Sequence, residues 1–179
     1  MPLSDIEIWA EINAGRLIID PIVTAESVGG SSLDLLLHEE LRIFPKTDEF
    51  KGLSVEPTEI NYTAFMERNS EVKLISLEQP YKMKPGEFLH GKTHERIKLP
   101  THLAGMIEGR SSLARLGLGV HITAPTVQTG FEGRLVLEMC NHGPFTLELK
   151  PRMKIAQLVL EHLSLPASGG YSGQYQGQK

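Results

Sequence analysis

Apolar positions recur at helical spacing in one clear stretch, at the N-terminus. Ile8, Trp9 and Ile12 share a face, and Ser4 followed three residues later by Glu7 forms a capping-box signature. Leu3 and Ile8 stand at the staple positions around that cap, and Gly15 is placed to end the helix. Beyond it the pattern changes to alternation and short apolar runs. Residues 33–44, 72–77, 87–99, 118–123, 134–141, 145–149 and 153–162 are predicted as strands, with Pro80, Pro85-Gly86, Pro100, Gly130, Gly133, Gly143-Pro144 and Pro151 between them. Many short strands separated by such turns predict an all-β barrel or sandwich. A helical turn is expected over 111–116, stopped by Gly117, and another near Thr63 to Arg68 within a polar surface excursion over 46–70.

Length and charge narrow the picture. A chain of 179 residues fits one domain with a core of its own, and its 40% hydrophobic and 22% charged residues are ordinary for a globular protein. The net charge of −4 argues against broad attraction to DNA or RNA, so any polyphosphate must be met by a local group of donors. One cysteine, Cys140, rules out an internal disulfide. No apolar run approaches the ~18 residues of a membrane helix and no signal peptide is evident, which predicts a cytoplasmic protein without a membrane role. Residues 1–167 are expected to form a single β domain. The Gly-, Ser-, Tyr- and Gln-rich tail over 168–179 is expected to order only over a ligand or a neighbouring subunit.

Three segments are candidates for chemistry. In Glu108-Gly-Arg-Ser-Ser-Leu-Ala-Arg115, a Ser-Ser pair opens a helical turn beside Arg110, and Ser111 and Arg115 share one face of it. The residues alone allow an anion site or a capped turn with a surface arginine. In Leu135-Val-Leu-Glu-Met-Cys140 one carboxylate interrupts an apolar strand, on the face of Val136 and Cys140. Burial penalises the charged form of a carboxyl group and poises it for general acid–base work, although a solvent-facing Glu or a structural ion pair fits the same pattern. In His121-Ile-Thr-Ala-Pro125 and Gly130-Phe-Glu-Gly133, an aromatic between glycines suits either stacking under a sugar or a hairpin with a core ring. One cysteine cannot furnish the His/Cys ligand set of the zinc deaminases, and the seven histidines show no metal-ligand spacing on a helix face.

Taken together, Gly-Arg-Ser-Ser-Leu-Ala-Arg-Leu-Gly-Leu at 109–118, His-Ile-Thr-Ala at 121–124, Gly-Phe-Glu-Gly at 130–133 and Leu-Val-Leu-Glu at 135–138 resemble the dCTP deaminases of the trimeric dUTPase-like superfamily. Met-Lys-Ile-Ala-Gln-Leu at 153–158, Tyr-Gln-Gly-Gln at 175–178, Leu-Ser-Asp-Ile-Glu-Ile at 3–8 and Gly-Ser-Ser-Leu-Asp-Leu at 30–35 extend the likeness nearly end to end. The resemblance implies a mainly β, distorted barrel or jelly-roll of the dUTPase-like type. It also implies a homotrimer with sites between subunits, Mg²⁺ carried on the triphosphate, no zinc and no metal ligand from protein side chains. Glu138 is implied as the general base that activates water and then returns the proton, with Ser111 and Arg115 holding the water and the carboxylate. Thr123 and Ala124 would read the base, and Phe131 would pack on the deoxyribose. Arg110 and Ser112 would hold phosphate oxygens, and Tyr171, Gln174 and Gln178 would close over the triphosphate. Leu113, Ala114, Val136 and Leu137 fall in the same nucleotide-contacting blocks. Gln157 matches a glutamine found mainly in the dUMP-forming branch.

Departures from the family pattern shape the expected product. Gln128 stands where an aspartate is usual; in the family that carboxylate contacts the sugar 3′-hydroxyl and, in diphosphatases, helps place the attacking water. A glutamine hydrogen-bonds a hydroxyl but is not a base. The expected product from dCTP is therefore dUTP with ammonia. The alternatives are a bifunctional dUMP-forming enzyme, toward which Gln157 and the tail lean, and a trimeric nucleotide-binding protein without turnover. Pro125 matches neither branch, and Gln174 replaces a common lysine.

Overall fold

The computed structural model describes residues 1–45, 50 and 52–178, so the first part of the expected 46–70 excursion and the last residue of the tail lie outside the described residues. The elements run α1 (Asp5–Asn13), β1 (Ile18–Asp20), β2 (Val28–Gly29), β3 (Ser32–Leu36), β4 (Glu40–Ile43), α2 (Tyr62–Asn69), β5 (Glu71–Leu74), β6 (Tyr81–Met83) and β7 (Phe88–Lys98). They continue with β8 (Leu103–Gly109), α3 (Ser111–Ala114), β9 (Leu118–Gly119), β10 (Thr126–Val127), β11 (Glu132–Asn141), β12 (Leu147–Leu149) and β13 (Lys154–His162).

The mainly β class agrees with the sequence. The strands do not close into a barrel, however. They form a six-stranded sheet ordered β5-β4-β7-β11-β9 with β1 also paired to β7, a five-stranded sheet ordered β10-β8-β13-β3-β2, and a separate two-stranded sheet, β12-β6, whose strands are distant in sequence. The edge strands β2, β9 and β10 are two residues long, which limits the unpaired edge that open sheets leave. One continuous core joins the sheets, with Leu33, Leu35, Leu103, Ile107, Leu158 and Leu160 from one and Leu41, Leu89, Ile97, Leu135, Leu137 and Met139 from the other.

The α1 cap forms as the sequence expects: Ser4 N donates to Glu7 Oε2 at 2.8 Å, Glu7 N donates to Ser4 Oγ at 3.4 Å, and the staple residues Leu3 and Ile8 are buried. Strand β8 does not appear in the sequence pattern because Gly105 interrupts its apolar alternation. The glycine is there for packing: a Cβ at that position would lie 2.8 Å from Leu158 Cδ1 and 3.3 Å from Val127 Cβ. The expected run over 118–123 shortens to β9, and the single run over 33–44 divides into β3 and β4. The tail docks on its own chain. Tyr171 N donates to Thr129 O at 2.8 Å, Gly177 N to Glu132 O at 2.7 Å and Arg134 N to Gln178 O at 3.0 Å. No helix among the described residues is long and apolar enough to cross a membrane.

Candidate active site

Strict alternation along β11 sends Leu135, Leu137 and Met139 into the core and leaves Arg134, Val136, Glu138 and Cys140 half-buried on the opposite face. Antiparallel pairing then sets rows of side chains across the sheet. Glu138 lies opposite His90 on β7, and His90 lies opposite Arg42 on β4. Val136 lies opposite Lys92, which is paired with Glu40 at 2.9 Å. These rows floor a cavity of about 590 Å³, within the size range of small-molecule sites.

The walls come from three further segments. Ala124, Gln128 and Phe131 border the cavity from the loops beside β10, and Tyr171, Tyr175 and Gln178 from the docked tail. The third is α2, capped by Asn61 Oδ1, which accepts from Ala64 N at 3.1 Å. Arg42 Nη1 ties the end of α2 to the floor by donating to Ser70 Oγ at 3.0 Å and Met66 O at 3.4 Å. The Tyr62 ring of α2 meets the Tyr175 ring edge-on at 6.1 Å, and Phe131 meets Tyr171 at 6.1 Å. Burial pushes His90 down to about 4, with the Arg42 guanidinium adding to the effect, so the imidazole is neutral through the physiological range. Burial raises the Tyr62 phenol, with Tyr175 and then Glu138 adding to it.

The structure thus brings Glu138, Val136, Phe131, Ala124, Gln128, Tyr171 and Gln178 to one cavity. It does not bring Ser111, Ser112, Leu113, Ala114, Arg115, Arg110, Thr123, Gln157 or Gln174 there. Leu137 has its side chain in the core, which leaves only its backbone on the ladder. Ser111 and Ser112 stand exposed on α3 and Arg115 at its C-cap, while the N-cap residue Arg110 makes no side-chain cap. Arg110 instead reaches Asp34, which also holds Lys154 at 3.0 Å and accepts from Gln157 Nε2 at 3.3 Å, while Gln157 donates to Ser32 Oγ at 3.0 Å. A second, cationic group of side chains therefore gathers Arg110 and Gln157 apart from the cavity.

Sequence reasoning missed Glu40, Arg42, His90 and Lys92 on the floor, and Tyr62 and Met66 on α2. Their only signal is alternation of polar residues along β4 and β7, which marks an outward face and no particular chemistry. It also missed the approach of His38, Glu39 and His94, whose ligand atoms lie within 4.8 Å of one another. Tautomers oppose a metal there. Glu40 N donates to His38 Nδ1 at 3.2 Å, and Arg152 donates to His94 Nε2, so each neutral ring carries its proton on the other nitrogen.

A sequence profile described as dCTP deaminase-like matches residues 2–163. A dCTP deaminase of Shewanella loihica is 38% identical over all of this chain and 94% of its own length. A protein of Parafrankia sp. named as a dUMP-forming dCTP deaminase is 39% identical over all of this chain and 87% of its own. Among solved structures, a 2′-deoxycytidine 5′-triphosphate deaminase from Agrobacterium tumefaciens superposes with a TM-score of 0.68 over 89% of this chain at 19% identity, which speaks to the fold. This chain spans about half the length of that one, 47%. By the profile match and by full-length identity to its relatives, the chain belongs to the dCTP deaminase-like family.

Proposed function

We propose that this protein hydrolyses the exocyclic C–N bond of dCTP, giving dUTP and ammonia, with Glu138 as the proton carrier. The observation that carries the reading is the Glu138 carboxylate of β11 on the floor of a cavity that Val136, Phe131 and aromatic residues of the tail also line, beside His90 and the paired Lys92 and Glu40. Glu138 takes a proton from water and passes it to N3 as the resulting hydroxide adds to C4 of the cytosine ring; the remaining hydroxyl proton then passes through Glu138 to the amine, which leaves as ammonia as the C4 carbonyl forms. Water supplies the oxygen, so no oxidant or second substrate is needed. Mg²⁺ enters as part of the nucleotide substrate, and the water is activated by a carboxylate in place of zinc. Phe131 packs on the sugar, Ala124 and Thr123 present backbone to the base, and Tyr171 and Gln178 close over the phosphates, with Gln174 exposed beyond them.

Ser111 and Arg115 belong to the same site in this reading, and they reach it from a neighbouring subunit. Their exposure at α3, outside the cavity of their own chain, supports a homotrimer whose sites form at subunit contacts. Leu116, just after α3, and Ile122, beyond β9, are 44% and 59% exposed and supply apolar surface for such a contact. Arg110 and Ser112, with Gln157 held on Asp34, then come to the phosphate end. Cys140 is free, in keeping with a cytoplasmic address.

Gln128 borders the cavity next to Phe131 and has no basic oxygen to activate a second water, which favours dUTP over dUMP as product. Incubation with dCTP and Mg²⁺, followed by chromatography of all products, tests both parts. Ammonia with dUTP is expected. Stoichiometric pyrophosphate would transfer the protein to the dUMP-forming class, and nucleotide binding without ammonia would make it a non-catalytic binder.

A further inference from the structure

We propose that His90 is a positioning residue for Glu138, holding the carboxylate toward the cavity from the adjacent strand. The inference rests on Glu138 being the base, and none of the sequence motifs points to it.

Three observations carry it. First, His90 and Glu138 are direct cross-strand partners and both line the cavity. Side chains so paired stand with Cβ atoms about 5 Å apart, within reach of a hydrogen bond once the carboxylate turns. Second, the imidazole is itself held. It meets the Phe44 ring edge-on at 5.3 Å and the Phe88 ring edge-on at 5.2 Å, so two aromatic side chains restrict its rotation. Third, the charged groups that face it are unequal. Arg42 on β4 is its other cross-strand partner, Glu138 lies on β11, and Tyr62 descends from α2. The next row holds Lys92 against Glu40, already paired.

Their chemistry is complementary. An imidazolium beside Glu138 would bind the carboxylate as an ion pair and compete with the water it must deprotonate. Burial and Arg42 keep the ring uncharged, so it offers one N–H and no net charge. A neutral donor of this kind directs one carboxylate oxygen without neutralising the base. Arg42 links the same row to α2 through Ser70 and Met66, so the wall and the floor of the cavity are set together.

The test compares His90→Gln, which keeps a neutral donor, with His90→Leu, which keeps bulk and removes it. Loss of one hydrogen bond to a charged group is worth about ten- to a hundredfold in rate. The expected result is a fall of that size in kcat for His90→Leu with KM for dCTP little changed, and recovery to within about threefold of wild type in His90→Gln. Equal kcat in wild type and His90→Leu overturns the proposal, as does an equal loss in both variants. A second readout needs no turnover: ¹⁵N NMR of the His90 ring at pH 6. A neutral ring whose N–H shift moves on Glu138→Gln substitution supports the proposal, and a protonated ring or a shift indifferent to Glu138 overturns it. If the wild-type protein released no ammonia while the NMR coupling held, the functional reading would fail and the positioning contact would stand.

Discussion

Replacing Gly130 by alanine should release the C-terminal arm, and the structure gives the size of the effect. Gly130 has φ +75°, and a Cβ there would lie 2.4 Å from Gly170 Cα and 2.9 Å from Tyr171 N. Those are backbone atoms of the arm, so they can give way only if the arm lifts. The left-handed conformation alone costs a β-carbon about 1–2 kcal/mol. Lifting the arm at this point breaks the Tyr171 N–Thr129 O bond of 2.8 Å, a net loss of about 1 kcal/mol. It also separates Tyr171 from Phe131, an aromatic contact worth about 0.5–1.5 kcal/mol. With the clash excluding the docked position, the arm forfeits those two contacts, about 2 kcal/mol together, which is roughly a thirtyfold change in its docked population. Gly86→Ala is the matched control, because Gly86 has φ +72° and nothing within 4 Å of the added carbon. Hydrogen exchange at the Tyr171 amide should accelerate about ten- to a hundredfold in Gly130→Ala and stay near wild type in Gly86→Ala. KM for dCTP should rise only in the first. Unchanged exchange in Gly130→Ala, or equal acceleration in both variants, would refute the clash as the cause.

Glu138→Gln should abolish ammonia release while leaving dCTP binding by calorimetry within a fewfold of wild type; a variant that still turns over removes Glu138 from the base role. Acid should destabilise the fold in part through His90. Its folded pKa near 4 lies below the unfolded value, so the unfolded chain binds the proton first, and stability is lost as pH falls from about 6.5 toward 4. After allowance for the partial exposure of the ring, the contribution is on the order of 1–2 kcal/mol. His38 and His94 act in the same direction, while the buried Glu95 carboxyl, raised by burial, opposes them. Urea unfolding at pH 7 and pH 4.5 should show a smaller loss for His90→Leu than for wild type, and equal losses would contradict this origin. Gly105→Ala should cost about 1–3 kcal/mol by crowding Leu158 and Val127, read as a lower urea midpoint with unchanged slope.

Local rules carried much of the fold. Ser4 and Glu7 announce α1 because the cap is made by neighbours in sequence, and the alternation of β7, β11 and β13 survives because each has one buried face. What failed was set by distant partners. Gly105 looks like a break until Leu158 and Val127 are seen against it, and the openness of the two sheets depends on which strands end as edges. The site divides in the same way. Glu138 was legible as a lone carboxylate in an apolar strand, and Gly130 and Gly133 as turn residues. Their second purpose was not legible, since the room they leave is filled by Gly170 and Gln178, far along the chain. His90 and Arg42 could not be found from sequence, because register alone places them beside Glu138.

Mixing two inactive variants tests most directly whether the chemistry needs two chains. Arg115→Ala keeps the carboxylate and Glu138→Gln keeps the guanidinium, so each lacks one half of the constellation that a single chain does not assemble. If sites form between subunits, co-assembled equal mixtures contain intact sites in about one quarter of the contacts and should recover about that share of wild-type ammonia release. Mixed assemblies, verified by mass, that remain as inactive as either variant alone would contradict a site shared between chains.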